Sequence, residues 1–433
     1  MRRKMIIGGG LILVLIMETA SFAYASEHGK PYEGVTLTVL SASEQALDGF
    51  YAVVEAAEEK YGFTIEMDMA GSGGGEYNKL VETRLASGKM DDMMIYNSGA
   101  LFLQLNPEEY FVDVSQKPEL VERLDENFVF SVSSQNGVYG IPFSSSQAGG
   151  ILYNKEIYRE LGLTIPHTWD EFIENCQVIQ NSGRTAILGA YMDQWPEVVP
   201  LLGDYYNVYS QVPRFAEMLL EGQVKFSEVP SAVDSLQKVL DIEPFLNSDC
   251  FSVGYAEGYR RFAEGKGAHF IMLSQVLSNI YSEYGEEVLE NIGVFGIPGQ
   301  DEENHGLTMW MPNGIFLNKD SEYVEAGLAF FDFYTSEEGL TIYTSKVPPD
   351  GPFCLKGYEL PEDAYPAVKE DIQKYVDEGK TCPAMEFISP LEINSSSSML
   401  RLTMGEISVE EAAREMDNGI EEELFRLGLL DLE

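Results

Sequence analysis

Two tryptophans sit beside polar side chains in stretches that read as loops. Tyr191-Met192-Asp193-Gln194-Trp195 follows the short apolar run Thr185–Leu188, and Trp310 comes just before a strand that opens at Asn313. A flat ring can stack on the C–H face of a sugar, and a carboxylate or amide can pair with its hydroxyls. Asp193 with Trp195 offers both within three positions, and Trp310 offers a second platform. Either tryptophan could instead be a core residue. Trp169 is assigned to the core, because Thr168-Trp169-Asp170-Glu171 has capping-box spacing and puts the ring at a helix start.

Other chemistry is poorly represented. No GxSxG, HExxH or Cys-His signature marks a catalytic centre, so no catalytic residue is nominated. A glycosidase needs two carboxylates flanking one bond, and among 71 acidic residues no motif singles out such a pair. An extracellular glycoside hydrolase is the rival from the enzyme class. The loop at 71–75 with Glu76, GSGGGE, could present backbone N–H groups to an anion, but it lacks the Lys-Ser/Thr of a P-loop. Its glycines otherwise let the backbone approach a ligand. Tyr205-Tyr206 is similar to the paired tyrosines of ferric-ion-binding proteins, without the accompanying histidine. Cys176, Cys250, Cys354 and Cys382 form no CxxC, so no metal and no cofactor is expected. A disulfide is permitted outside the cytoplasm, with Cys354 and Cys382 the better-placed pair; the alternative is four buried free thiols.

The first residues read as an export signal. Arg2, Arg3 and Lys4 precede an apolar run from Met5 to Met17, and Ala23-Tyr24-Ala25 fits the small-x-small pattern, so residues 1–25 are expected to be cleaved. The run is shorter than the ~20 residues a membrane-spanning helix needs. No cysteine stands near that site to carry a lipid, which makes the expected location periplasmic or freely secreted. The net charge is −43. Such a surface repels phosphate backbones and excludes nucleic acid as a partner.

The remaining length calls for two domains. Val35–Leu40, 63–69 and Met93–Tyr96 read as strands, while Phe50–Tyr61 and Glu76–Ser87 have helical spacing and stop at Gly62 and Gly88. Strands alternating with helices imply a doubly wound α/β fold. Its ligands bind beyond the carboxyl ends of strands. That rule nominates Ser41, Ser43 and Glu44 after the first strand, Tyr77 after the glycine loop, and Asn97 and Ser98 after the third. It adds Phe143, Ser144 and Ser145 at a later crossing. Further on, Ser231–Leu240, Ala256–Glu264, Tyr323–Tyr334 and Val409–Leu427 read as helices, and His269–Leu273 as a strand.

Gly137 to Phe172 (GVYGIPFSSSQAGGILYNKEIYRELGLTIPHTWDEF) orders strand, crossover, strand, helix, helix. It resembles the lobe crossover of bacterial extracellular solute-binding proteins of family 1, the maltose-binding-protein-like receptors of ABC transporters. Phe262 to Ala268 is similar to that family's FxxGKAAM segment. Phe331 to Gly339 and Gly405 to Ala412 resemble its later helices. The resemblance implies a class II-like two-lobed periplasmic-binding-protein fold with an interlobe ligand cleft. It places the N-lobe at 33–141 plus 306–344 and the C-lobe at 142–305 plus 345–433. It also implies a monomer that binds a carbohydrate and partners an ABC transporter permease, without enzymatic activity. The family's aromatic cluster should fall near Leu391-Glu392-Ile393-Asn394, where no aromatic stands; Glu392 or Asn394 would supply polar contacts instead.

Overall fold

The computed structural model describes residues 29–42, 47–70, 75–134, 137–302, 305–387, 396–426 and 429. The export signal, Ser43, Glu44, the glycines at 71–74, Glu392 and Asn394 lie outside these. The fold is mixed α/β, as expected, and the chain forms two compact units: 1–95 with 317–346, and 96–316 with 347–433. Among the described residues no helix is long and apolar enough to cross a membrane.

In the first unit β1 (Thr36–Ser41) lies between β2 (Thr64–Met69) and β3 (Met93–Tyr96), parallel to both. Helices Asp48–Tyr61 and Gly75–Ser87 supply the crossover connections that parallel strands require. The first ends at Gly62, whose φ of 87° suits glycine, as its sequence position implies. All four residues of β3 are buried, whereas Thr64, Glu66 and Met69 of β2 face solvent, which gives that edge strand its alternating sequence. The apolar helix Val324–Tyr334 completes the unit, with Phe330 edge-on to Phe50 and Phe63.

In the second unit short helices between Ala100 and Ser131 lead to the hairpin of β4 (Ser133–Ser134) and β5 (Gly137–Val138), and β6 (Ile141–Pro142) pairs with β12 (Gly314–Leu317). Its main sheet is built on β7 (Gln147–Asn154). One edge of β7 carries β9 (Gly267–Leu273), which pairs with β8 (Thr185–Ile187). The other edge carries β10 (Ile292–Phe295) and then β11 (Leu307–Trp310), which pairs with β13 (Thr381–Pro383). Asn154 caps helix Lys155–Leu161 through the N–H of Ile157, and the Thr168/Glu171 capping box opens helix Trp169–Asn181. Trp169 is buried, and its Nε1–H donates to Asp241 at 3.0 Å. Beneath it Lys238 and Asp204 form a buried ion pair at 2.6 Å, shared with Ser235 and the Pro298 carbonyl. Both charges are thereby hydrogen-bonded, the condition for burying an ion pair.

Three expectations need correction. Trp195 does not lie in a loop: it is the first residue of helix Trp195–Gly203, followed by helix Tyr205–Gln211. Pro196 and Pro200 hide the first of these from sequence reading; Pro196 stands in the first turn, where no intrahelical N–H is lost, whereas Pro200 stands inside the helix. Trp310 does stand shortly before a strand, β12, but it is the last residue of β11 rather than a loop residue, and it is buried, its ring filling the space a Cβ on Gly149 would need. Finally, all four cysteines are buried free thiols. Cys382 is held on β13 opposite Thr308, and the carbonyl of Cys354 accepts the N–H of Asp125.

Candidate functional site

The carboxyl ends of β8, β9 and β11 and the start of β7 meet at one edge of the second unit's sheet. Register fixes this: Trp310 pairs with Gln147, and Leu273 with Gly149. The segments that follow these strands therefore gather there, whatever their distance in sequence.

After β8 comes the 3-10 turn Tyr191–Asp193. Gln194 follows at φ 67°, a conformation rarely held by a residue with a Cβ, and it turns the chain into the helix headed by Trp195. Trp195 is 36% exposed, and its ring centroid lies 5.0 Å from that of Tyr255. Asp193 accepts the backbone N–H of Tyr255 at 2.7 Å. It thus places a negative charge at the N-terminus of helix Tyr255–Ala263, a favourable position against the helix dipole. Gly254 permits this, since a Cβ there would lie 2.9 Å from the same carboxylate oxygen. Asp193 and Trp195 are therefore fixed together by one helix.

After β9 comes Ser274, then helix Val276–Tyr284. The Tyr255 hydroxyl donates to Asn279 Oδ1 at 2.6 Å. Asp350 reaches the same helix end: its Oδ1 accepts from Ser278 Oγ–H at 2.5 Å and from the Ser278 N–H at 3.3 Å. Its backbone is stitched at both polar atoms, N–H to Ser145 Oγ and C=O from Ser274 Oγ–H. Burial pushes the Asp350 carboxyl up to about 7, against the lowering effect of the Ser278 bonds. Burial first, then the Asp350 carboxylate, push up the ionisation of Tyr255.

The sequence-nominated residues divide among these surroundings. Ser145 joins the edge through Asp350. Phe143 is buried and its N–H donates to the Asn313 carbonyl; Ser98 is buried and its hydroxyl donates to the Pro312 carbonyl. Asn97 is half-buried after β3. Tyr77, in the first unit, is buried, with its hydroxyl donating to the Ile95 carbonyl at 2.8 Å. Tyr205 is a member of a hydrophobic core cluster in the second unit. Among the described residues no group of three or more His, Cys, Asp or Glu side chains could hold a metal ion. Tyr255, Asn279 and Asp350 were not nominated from sequence. Pro348-Pro349-Asp350-Gly351 signals a turn, but nothing local says where it docks.

Residues 41–210 match the bacterial extracellular solute-binding protein family. The resemblance read from the sequence therefore holds. A multiple sugar-binding protein of Streptococcus mutans is 30% identical over 117 residues, an aligned stretch that spans 27% of this chain and 27% of that protein's own length. Among solved structures, a chitin oligosaccharide binding protein superposes with a TM-score of 0.75 at 20% identity, covering 90% of this chain and 99% of the other. A sugar transporter protein of Bacillus licheniformis in complex with stachyose gives 0.64 at 18%, covering 90% and 100%. A solute-binding protein in complex with raffinose gives 0.71 at 18%, covering 90% and 100%. At these identities the structural matches establish a shared two-lobed fold.

Proposed function

We propose that this chain is the extracytoplasmic receptor of an ABC importer and binds a mono- or oligosaccharide without altering it. The observation that carries the reading is the fixed set of Asp193, Trp195 and Tyr255 at the strand-end edge: one half-exposed ring face with carboxylate and amide groups around it. That combination suits a ligand with apolar C–H faces and many hydroxyls. The family match over 41–210 and the sugar-binding relatives support it. Asn97, Ser98, Phe143, Ser145 and Trp310 stay in the proposed site together with Ser43, Glu44, Tyr77 and Glu392. The lobe boundaries at 141/142, 305/306 and 344/345 remain part of the same reading.

The mechanism is conformational. A sugar that binds one arrangement of the lobes better than another shifts the population toward it, and that arrangement docks on the membrane permease as a monomer. The export signal expected at 1–25 fits a protein that works outside the cytoplasm. A thermal-shift screen against a sugar library tests the function, because a ligand of the folded state raises the melting temperature. A cognate mono- or oligosaccharide should raise it, and mass spectrometry should recover that sugar intact. Cleavage of the sugar would establish the glycosidase reading in its place.

A further inference from the structure

We propose that Asp350 is a specificity-determining ligand carboxylate, taking hydroxyls of an uncharged sugar on Oδ2 while Ser278 holds Oδ1. The inference rests on the reading of this chain as a carbohydrate receptor.

The two oxygens of Asp350 have different surroundings. Oδ1 receives both donors of Ser278, while Oδ2 accepts no hydrogen bond among the described residues. The backbone leaves no slack, since Ser145 and Ser274 tie Asp350 on both sides and the hydroxyl and N–H of Ser146 both donate to the Pro352 carbonyl. A Cβ at Gly351 would lie 2.4 Å from the Ser146 carbonyl oxygen, so this turn can sit so close to β7 only with glycine there. Asp350 is thus a rigid, half-buried carboxylate with one oxygen uncommitted. Preorganised acceptors of this kind are what a hydroxyl-reading site needs.

Its neighbours specify the chemistry. Ser278, which holds its Oδ1, is followed by Asn279, which accepts the Tyr255 hydroxyl, and the Tyr255 ring packs at a tilt against Trp195, so Asp350 belongs to the same edge as the aromatic platform. The titratable groups facing it are Tyr255 from helix Tyr255–Ala263 and Tyr365 through Ser278. Neither Asp350 nor Asp193 forms an ion pair with Lys or Arg among the described residues. An anionic sugar would meet two carboxylates without a compensating cation, which costs affinity. A neutral sugar would donate hydroxyl hydrogens to Oδ2.

Calorimetry at pH 7.5 with stachyose, xylotriose and chitotriose, and with glucuronyl-xylotriose as the anionic probe, tests this. Wild type should bind at least one neutral probe and discriminate against the anionic one. D350N keeps an acceptor for Ser278 and removes the charge. It should lose roughly tenfold or more in affinity for the neutral probe, as for a hydrogen bond to a charged group, and narrow the neutral-to-anionic ratio. S278A, which leaves Oδ2 charged, should lower the melting temperature while keeping that ratio. Should D350N fail to fold, D350E provides the reading: weaker binding with discrimination preserved. Wild-type affinity should also rise roughly tenfold from pH 5.5 to 8, because hydroxyl donors favour the ionised carboxylate, and D350N should be flat. If D350N binds within twofold of wild type with an unchanged ratio, the role of Asp350 is refuted and the receptor reading stands. If wild type binds none of the neutral probes and no neutral mono- or oligosaccharide of the thermal-shift library, both fall.

Discussion

Glu197 lies two residues beyond Trp195 and is 2% exposed, with neither carboxylate oxygen hydrogen-bonded among the described residues. Burial raises it from the usual carboxylate range to about 7. Its folded-state pKa is above the unfolded value, so the folded protein holds this proton more tightly. Stability from this group is present at pH 4.5 and is lost as pH rises to 7, by roughly 3 kcal/mol in total. E197Q should therefore match wild type near pH 4.5 and be more stable by about 2–3 kcal/mol at pH 8 in denaturant unfolding. Equal stability at pH 8 would mean that the carboxylate finds a partner, such as an internal water. Trp195→Ala makes the neighbouring prediction on binding. Loss of a stacked ring should weaken the cognate sugar by ~1–3 kcal/mol in calorimetry, and unchanged affinity would remove the stacking model.

At the scale of elements, the Trp310 ring can lie across β7 because position 149 has no side chain. The Trp310 ring occupies the space a Cβ would need, and Gly150 has the Phe295 carbonyl 2.8 Å from its own virtual Cβ. Gly149→Ala should cost about 1–3 kcal/mol through forced displacement of the indole, measured by the shift in denaturant midpoint. A Trp310→Ala background should relieve most of that cost, since the clash is with that ring. Failure of such a rescue would place the strain in the strand backbone instead. The Asp193–Tyr255 contact is the second inter-element joint. It couples the start of helix Tyr255–Ala263 to the turn after β8, and the twisted Gln194 backbone is held between that joint and the Trp195 helix.

For the whole molecule, the chain passes between its two compact units after Ile95, Phe316 and Lys346. Proteins built this way move as bodies about their connections when a ligand favours one arrangement. Small-angle scattering should show a smaller radius of gyration with the cognate sugar than without it. A constant radius alongside tight binding would cost the closure mechanism and leave the protein a binder. Sugar affinity should be unaffected by a chelator, and its abolition would overturn the metal-independent reading.

The amino-acid sequence determined what short-range chemistry can decide. Gly62 and the Thr168/Glu171 box stop and start their helices through groups within a few residues, so those ends read directly. The alternation of strand and helix likewise led to the α/β fold, and the crossover segment to the family. Tertiary structure alone decided the surroundings of the candidate site residues. Trp310 reads as a loop platform but is buried, because the space above Gly149 exists only once β7 and β11 are paired in register. Asp350 lies far along the chain from Ser145, Ser274, Ser278 and Tyr255, and only the sheet brings those strand ends to one edge. Hydrogen-bond partners at such separations leave no periodicity in the sequence, because the pairing is made by strand register rather than by local conformation.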